Sequence, residues 1–273
     1  MEISVIGNRS PGIEVTGVDA KRFTGEDIAE IKLALAQHGV ACIRNQDLQL
    51  PDLVTLANKF GEIQQSTRDQ FWHPDQPEIF VISNIVENGR LIGSRDDGVI
   101  WHTDLSYLER PTGYTILYGV ETPEVGADTL FASTRYMYDD ATEEERKHYE
   151  SLDVLYSHAR VFKGRLTQKQ IDDFPDVVHP LVRTHPVDGK KGLYFSSYQS
   201  GSVIGMPFEE SDSFIKSLHA KATAPGRVYA HKWRPGDIVM WDNRGLIHTA
   251  SEYDMERYRR LIWRITVMGE RPS

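Results

Sequence analysis

The segment RRLIWRITVMG, residues 259–269, places the strongest constraint on what this chain can fold into. Side chains alternate between the two faces of a strand, so this segment predicts a strand with two unlike faces. One face carries apolar side chains suited to packing under helices: Leu261, Trp263, Ile265 and Val267. The other carries Arg260 and Arg264. Buried arginines are costly unless an anion meets them, so the pattern favours an internal anion site. The alternative is a solvated edge strand.

A histidine upstream is predicted to lie close to these arginines. The segment GLIHTA, with His248, precedes RRLIWR by a short stretch centred near Asp254. If the two segments form a hairpin, His248 lies across from Arg260 on the same face. An arginine fork binds a carboxylate bidentately. We therefore expect a carboxylate clamp and a metal ligand in one cavity.

The stretch WHTD, residues 101–104, supplies two further metal-ligand types. In a strand, His102 and Asp104 would project from the same face. Together with His248 they would give two imidazoles and one carboxylate, the set that holds non-haem Fe(II) with coordination positions open. An HxD pair is weak evidence alone, and its plain alternative is a turn in which Asp104 caps a backbone amide.

The rest of the chain alternates between helical and strand patterns. Thr24 is predicted to cap a helix that ends before Gly39, and Pro51 to open a second helix that ends at Gly61. Strands are predicted from about 98 to 132, at 180–184, at 192–196 and over the C-terminal stretch. A helix is predicted at 209–222. Residues 134–175 are richer in charge and helix formers, which indicates a mostly helical insertion.

This order of elements predicts a mainly β fold with flanking helices and a jelly-roll core. A plain α+β sandwich is the alternative that local propensity does not separate from it. We expect a single domain over residues 1–273, with the insertion at about 134–175.

Composition restricts the classes of partner. The 273 residues are 40% hydrophobic and 26% charged, as in globular proteins, and no apolar run reaches membrane-spanning length. With a formal net charge of −9, the chain lacks the broad basic surface that nucleic-acid binding requires. The single cysteine, Cys42, lies in an apolar run and is predicted to be a core residue. We expect a cytoplasmic protein that binds neither nucleic acid nor membranes.

Nearly the whole chain, from about residue 10 to residue 269, resembles the Fe(II)/α-ketoglutarate-dependent dioxygenases of the taurine dioxygenase and 2,4-dichlorophenoxyacetate dioxygenase group. The resemblance is carried by ordered motifs: WHTD at 101–104, GADTLF at 126–131, HPLVRTHP at 179–186, WDNR at 241–244, His248 and RRLIWR at 259–264. It implies a double-stranded β-helix core. It also implies hydroxylation of a C–H bond of a small organic molecule, with O2 consumed and succinate and CO2 released.

The resemblance implies a role for each candidate site residue. Iron would be held by His102, Asp104 and His248, and α-ketoglutarate would chelate it. Arg260 and the hydroxyl of Thr129 would hold the distal carboxylate of α-ketoglutarate. Arg264 would reach its inner carboxylate or an acidic group of the substrate.

Departures from the family pattern concern the substrate and the anchoring arginine. Gly98 stands where both named enzymes have an asparagine, which argues against taurine as the substrate. The spacing from His248 to the arginine pair is one residue longer than in the taurine enzyme. Arg259 is therefore an alternative to Arg260. The even spacing between Arg260 and Arg264, which places both on one face of the strand, favours Arg260.

Five further side chains are candidates for the substrate pocket, with packing an equal alternative for each: Phe71, His73, His158, Tyr194 and Phe195. Two other functions stay open on the residues alone, a metal-dependent jelly-roll hydrolase and a non-catalytic binding jelly roll. Neither explains the inward arginines. The resemblance also implies a homodimer or homotetramer.

Overall fold

The computed structural model describes residues 1–7, 9–95, 98–162, 164, 167–196 and 201–273. The strands in these ranges are β1 (Glu2–Val5), β2 (Ile13–Thr16), β3 (Val40–Ile43), β4 (Ile63–Gln64), β5 (Trp72–His73), β6 (Gln76–Ser83), β7 (Val86–Glu87), β8 (Arg90–Leu91), β9 (Thr112–Glu121), β10 (Thr129–Ser133), β11 (Asp153–Tyr156), β12 (Val177–Pro180), β13 (Val182–Thr184), β14 (Lys191–Leu193), β15 (Gly201–Val203), β16 (Val228–His231), β17 (Ile238–Asp242), β18 (Leu246–Ala250) and β19 (Leu261–Met268). The α-helices are α1 (Gly25–His38), α2 (Leu50–Phe60), α3 (Arg135–Asp140), α4 (Glu143–Glu150), α5 (His158–Val161), α6 (Gln168–Asp173) and α7 (Phe208–Ala222).

One large sheet forms the back of the molecule. Its strands lie in the order β1-β2-β3-β17-β9-β19-β6-β5, with β4 also paired to β19. All of its neighbours are antiparallel except β2 and β3. The predicted C-terminal strand is confirmed as β19, and it lies in the interior of this sheet between β9 and β6.

A smaller sheet, in the order β16-β10-β18, faces the large one. Between them lies an apolar cluster drawn from both sheets, with Leu117, Trp241 and Ile262 on one side and Phe131 and Leu246 on the other. Two facing, mostly antiparallel sheets make the predicted jelly-roll core, because each sheet buries its inner face against the other.

Helices α1 and α2 cover the outer face of the large sheet. Thr24 caps α1 with its side chain, and Gly39 ends the helix at a positive φ of 80°, both as predicted. The apolar side of β19 faces these helices, since Ile265 and Val267 share one buried cluster with Leu35 and Leu53. The arginine side of β19 therefore faces the smaller sheet.

Two strand predictions are wrong. Residues 99–107 do not form a strand: His102 makes an isolated bridge to His248, and the chain then turns, with Leu105 at a positive φ of 47°. The segments GLIHTA and RRLIWR do not form a hairpin either. The first is β18 of the smaller sheet and pairs with β10, whereas the second is β19 of the large sheet.

Residues 134–175 contain helices α3 to α6 and also a strand, β11, that the sequence pattern did not indicate. This strand pairs with β12 and β15 in a third sheet. In the described part of the chain, no helix combines the length and the apolar character needed to cross a membrane.

Candidate metal centre

The backbones of His102 and His248 form a two-way bridge. The amide of His102 donates to the carbonyl of His248 at 2.9 Å, and the amide of His248 donates back at 2.8 Å. The two imidazole rings lie 4.2 Å apart between centroids. His248 is fixed by β18, where it lies opposite Phe131 of β10, so the smaller sheet positions His102 through the bridge.

The turn after the bridge brings Asp104 between the two histidines. His102 Nε2 lies 3.6 Å from Asp104 Oδ1, and His248 Nε2 lies 3.7 Å from Asp104 Oδ2. One ligand atom from each residue fits within 4.8 Å of the others. The three predicted residues therefore converge on one site. Two neutral imidazoles and one carboxylate are a donor set that suits Fe(II). The three residues converge through a bridge and a turn rather than through the strand alternation on which the prediction rested.

The ring of His102 is oriented by the backbone. Its Nδ1 lies 2.6 Å from the carbonyl oxygen of Ile100. A carbonyl oxygen can only accept, so Nδ1 donates, and in the neutral ring Nε2 is the nitrogen with a lone pair for a metal. The Nε2 atom is also the one that faces Asp104.

Asp104 is almost fully buried and ionised. Burial alone would raise the pKa of its carboxyl, but His248, His102 and Arg264 together hold that pKa well below its ordinary value. The ionised carboxylate is the form that can bind a divalent metal.

The arginines of the C-terminal strand line the same cavity as the histidines. Arg260 is 6% exposed, and the guanidinium of Arg264 lies 4.2 Å from the centre of the Phe80 ring. The cavity wall is built from both sheets by these described residues: Ile82, Gly98, His102, Leu117, Thr129, Trp241, His248, Thr249, Ala250, Arg260 and Arg264. The two histidines and the two arginines therefore face each other across the sandwich.

Arg259 points elsewhere. Its side chain is 62% exposed and its Nε lies 2.8 Å from Glu121. Of the two arginines that the sequence offered as anchors, Arg260 is the one that faces the cavity.

Thr129 lies on β10 at the cavity wall. The indole N–H of Trp233 donates to Thr129 Oγ1 at 3.0 Å. Since that oxygen already accepts, the threonine hydrogen can be donated to a ligand in the cavity.

A second group of metal-ligand types, Cys42, His231 and Asp237, is buried between β3, β16 and β17. Two of its ligand atoms already contact each other and a cation: Asp237 Oδ2 accepts from Arg44 at 2.7 Å and lies 3.1 Å from His231 Nε2. Burial raises the pKa of the Cys42 thiol to about 12, which disfavours its thiolate form. Of the two groups, the one containing Asp104 has the donor set of a metal centre.

The five pocket candidates lie outside the described cavity wall. Tyr194 and Phe195 belong to a separate apolar cluster that also contains Tyr156 and Leu181. His158 is 1% exposed and packs against the rings of Tyr107, Phe162 and Phe174. The ring of His73 meets Trp263, on the helix side of the large sheet. Phe71 packs edge to face on Phe80.

Sequence reasoning missed other residues of the site. Ile82, Leu117 and Trp241 line the cavity, and Thr115 and Asn243 contact Asp104. Asn243 lies within the WDNR motif that carried the resemblance, so that motif was its signal. Thr115 is one threonine among the side chains of a buried strand, and no sequence signal distinguished it.

This chain is similar to known proteins of one family over most of its length. The family model described as "Taurine catabolism dioxygenase TauD, TfdA family" matches residues 6–266. The α-ketoglutarate-dependent sulfonate dioxygenase of Saccharomyces cerevisiae is 32% identical over 96% of this chain and 65% of its own length. The α-ketoglutarate-dependent 2,4-dichlorophenoxyacetate dioxygenase of Burkholderia sp. (strain RASC) is 29% identical, covering 90% of this chain and 86% of its own. Among solved structures, AAD-2 in complex with Mn(II) and N-oxalylglycine superposes with a TM-score of 0.86 at 28% identity, covering 99% of each chain.

Proposed function

The chain belongs to the TauD/TfdA family and is an Fe(II)- and α-ketoglutarate-dependent dioxygenase; on that premise we propose that His102, Asp104 and His248 hold its iron and that its substrate is a small organic anion. Family membership decides against the hydrolase and the non-catalytic jelly roll.

The observation that carries the proposal is the meeting of two kinds of group in one cavity. The His102–Asp104–His248 triad lies on one side, and Arg260 and Arg264 lie on the other. A metal that binds a keto acid needs open positions beside the triad and a cation for the distant carboxylate. Arg260 and Arg264 supply the cation, and a metal held by only three protein ligands has open positions for the keto acid.

Bound Fe(II), with α-ketoglutarate and O2, supplies the oxidative decarboxylation that releases succinate and CO2 and the oxidation of the substrate C–H bond. The chain's own residues bind and orient. His102 presents Nε2 because its Nδ1 donates to Ile100. Apolar side chains of Leu117, Ile82 and Trp241 wall the cavity and limit the access of water.

Arg260 and Thr129 are proposed to hold the distal carboxylate of α-ketoglutarate. Arg260 offers a charged fork from the large sheet, and Thr129 offers a hydroxyl hydrogen from the smaller one. Charge-assisted hydrogen bonds of this kind are stronger than neutral ones and fix geometry when bidentate. This arrangement would position the keto acid with its reactive end toward the histidines.

Arg264 is proposed to receive the inner carboxylate of α-ketoglutarate or the anionic group of the substrate. It lines the cavity, and it is one of the groups that lower the pKa of Asp104. The named substrates of the two relatives, a sulfonate and 2,4-dichlorophenoxyacetate, are both anions. Gly98 at the cavity wall leaves space where a larger side chain would narrow it, which supports a substrate other than taurine.

The test is substrate-coupled succinate formation. Purified protein with Fe(II), ascorbate and α-ketoglutarate is screened against sulfonates, aryloxyalkanoates, amino-acid derivatives and phosphonates. We expect one of these classes to raise succinate release, His102→Ala to abolish it, and His148→Ala, at an exposed position of α4, to leave it unchanged. Full substrate-coupled turnover by His102→Ala would contradict the assignment of the ligands.

We also propose that the protein acts in the cytoplasm as a homodimer or homotetramer and binds neither nucleic acid nor membranes. The net charge of −9 and the single cysteine support the location and the choice of partners. Light scattering coupled to size exclusion would measure the oligomeric state, and a monomer would contradict that part of the proposal.

A further inference from the structure

Asp104 is held from outside the metal triad by a threonine of the large sheet. Thr115 Oγ1, on β9, donates to Asp104 Oδ2 at 2.6 Å. Thr115 is 0% exposed and Asp104 is 5% exposed, so water does not compete for this hydrogen bond. The contact joins β9 to the turn that carries the carboxylate.

Asn243 determines which way the Thr115 hydroxyl points. Its Oδ1 lies 3.0 Å from Trp241 Nε1 and 3.2 Å from the backbone nitrogen of Asp104. Indole and backbone N–H groups can only donate, so the amide oxygen faces them and Nδ2 faces the other way. Nδ2 lies 2.9 Å from Thr115 Oγ1 and donates to it.

The direction of each of these hydrogen bonds follows from the chemistry of its atoms. Because Thr115 Oγ1 accepts from Asn243, its single hydrogen is left for the ionised carboxylate of Asp104, which can only accept. The series of hydrogen bonds therefore runs from Trp241 through Asn243 and Thr115 to Asp104. All four side chains are buried.

We propose that Thr115, oriented by Asn243, is a positioning residue that makes Asp104 a one-oxygen metal ligand. The inference rests on the proposed function, because it takes Asp104 as a ligand. A strong donor on Oδ2 withdraws electron density from that oxygen and fixes the plane of the carboxylate, which leaves Oδ1 as the better donor to a metal. A carboxylate that bound through both oxygens would occupy a position that the keto acid or O2 needs.

The test measures metal binding without turnover. Mn(II) is titrated into metal-free protein and the dissociation constant is obtained by electron paramagnetic resonance, which also reports the symmetry of the bound ion. Thr115→Val keeps the shape and removes the donor, and we expect it to weaken Mn(II) binding by about 10- to 100-fold and to alter the spectrum. Thr115→Ser keeps the hydroxyl, and we expect it to restore both.

Thr112→Val is the matched control. Thr112 lies on the same strand, is 1% exposed and donates its hydroxyl to Gln64 at 2.7 Å, away from the triad. Thr112→Val removes an equally buried hydroxyl, so it should lower the free energy of unfolding by a similar amount while leaving Mn(II) affinity unchanged. If Thr112→Val weakens Mn(II) binding as much as Thr115→Val, the effect is general loss of stability and the inference is overturned. The inference is also overturned if Thr115→Val binds like the parent, or if Thr115→Ser fails to restore binding.

Asp104→Ala separates this inference from the proposed function. If Asp104→Ala binds Mn(II) as the parent does, the ligand assignment is wrong and the inference is overturned with it. If Asp104→Ala loses binding while Thr115→Val keeps it, the metal centre stands and only the positioning role is wrong.

The role of Asn243 has its own test. Asn243→Leu keeps the approximate size of the side chain and adds no charge, but it removes the amide that donates to Thr115 and orients its hydroxyl toward Asp104. We expect this substitution to weaken Mn(II) binding in the parent and to have no further effect when residue 115 is valine. Additive losses in the double variant would show that Asn243 does not act through Thr115 and would overturn that part of the inference.

Discussion

His102 and His248, 146 positions apart in the sequence, exchange both backbone hydrogen bonds with each other, at 2.9 and 2.8 Å. This pairing sets the separation of their Cα atoms before either side chain touches a metal. The two proposed nitrogen ligands are therefore arranged by main-chain geometry. The carboxylate of Asp104 depends instead on a turn and on side-chain hydrogen bonds.

The first prediction concerns the anchor for α-ketoglutarate. Arg260→Lys keeps the charge but loses the planar fork, so we expect the KM for α-ketoglutarate to rise about tenfold or more. Arg259→Lys is the matched control, because that side chain is exposed and paired with Glu121, and exposed pairs contribute little. Steady-state kinetics with varied α-ketoglutarate measure both. A raised KM in Arg259→Lys alone would make Arg259 the anchor.

The second prediction concerns Gly98, whose φ is +77°. A Cβ there would lie 3.6 Å from His102 Cε1, an ordinary contact, and asparagine tolerates this backbone conformation better than other side chains. We expect Gly98→Asn to fold, to bind Mn(II) like the parent, and to shift substrate preference toward smaller anions. Gly98→Val should be far less stable, because β-branched residues are strained at positive φ. An identical substrate profile in Gly98→Asn would show that this position does not face the substrate.

The third prediction concerns acid sensitivity. Burial lowers the pKa of His179 and of His219 from their ordinary value of 6.5, so the fold favours the neutral rings. The unfolded chain binds more protons than the folded one just below that pH. Stability is therefore full above about pH 6.5 and is lost as the pH falls toward the lowered pKa values. Urea midpoints measured from pH 8 to pH 5 should decline.

Two variants test whether these two histidines cause the fall in the urea midpoint. Each ring has its Nε2 next to a backbone carbonyl, of Leu108 at 3.0 Å and of Ser196 at 2.9 Å. His179→Gln and His219→Gln retain a donor but remove the titrating group, so each should flatten the curve. A curve as steep in the double variant as in the parent would assign the acid sensitivity to other groups.

The fourth prediction tests the packing behind the site. Ile265 is 1% exposed under α1 and α2, and Ile265→Ala should lower the free energy of unfolding by about 2–5 kcal/mol. Leu33→Ala, at a position of α1 that is 45% exposed, should change it by less than about 1 kcal/mol. Urea unfolding measures both. Equal losses would contradict the assignment of the buried face of β19.

The two faces of β19 could be predicted from sequence, but its neighbours could not. Alternation of side chains is local, so it separated Arg260 from Ile265 whatever strands lay beside them. Pairing is not local. The short connection from His248 to Arg260 favoured a hairpin, whereas β19 pairs with β6 and β9, which come much earlier in the chain. The two residues still share a cavity because facing sheets bring them there.

The three candidate ligands could be selected from the sequence because their residue types are chemically distinctive, and the structure brings them together. The geometry that unites them could not be predicted. The apolar stretch VIWH favours a strand on propensity, yet only His102 makes a bridge, because the next residues turn to bring Asp104 inward. Thr115 and Asn243 are 128 positions apart, and a hydrogen bond across that distance leaves no periodic trace in the sequence.

The interior position of β19 has a consequence for how the protein is made. The ribosome releases β6 and β9 well before β19, and in the finished sheet both pair with it. Until then each presents an edge of unpaired amides and carbonyls, which can pair with a neighbouring chain. The same late strand is next to Arg260 and carries Arg264, so closing the sheet and completing the proposed anion site are one event in synthesis. A nascent chain stalled before residue 260 would be both inactive and prone to aggregate.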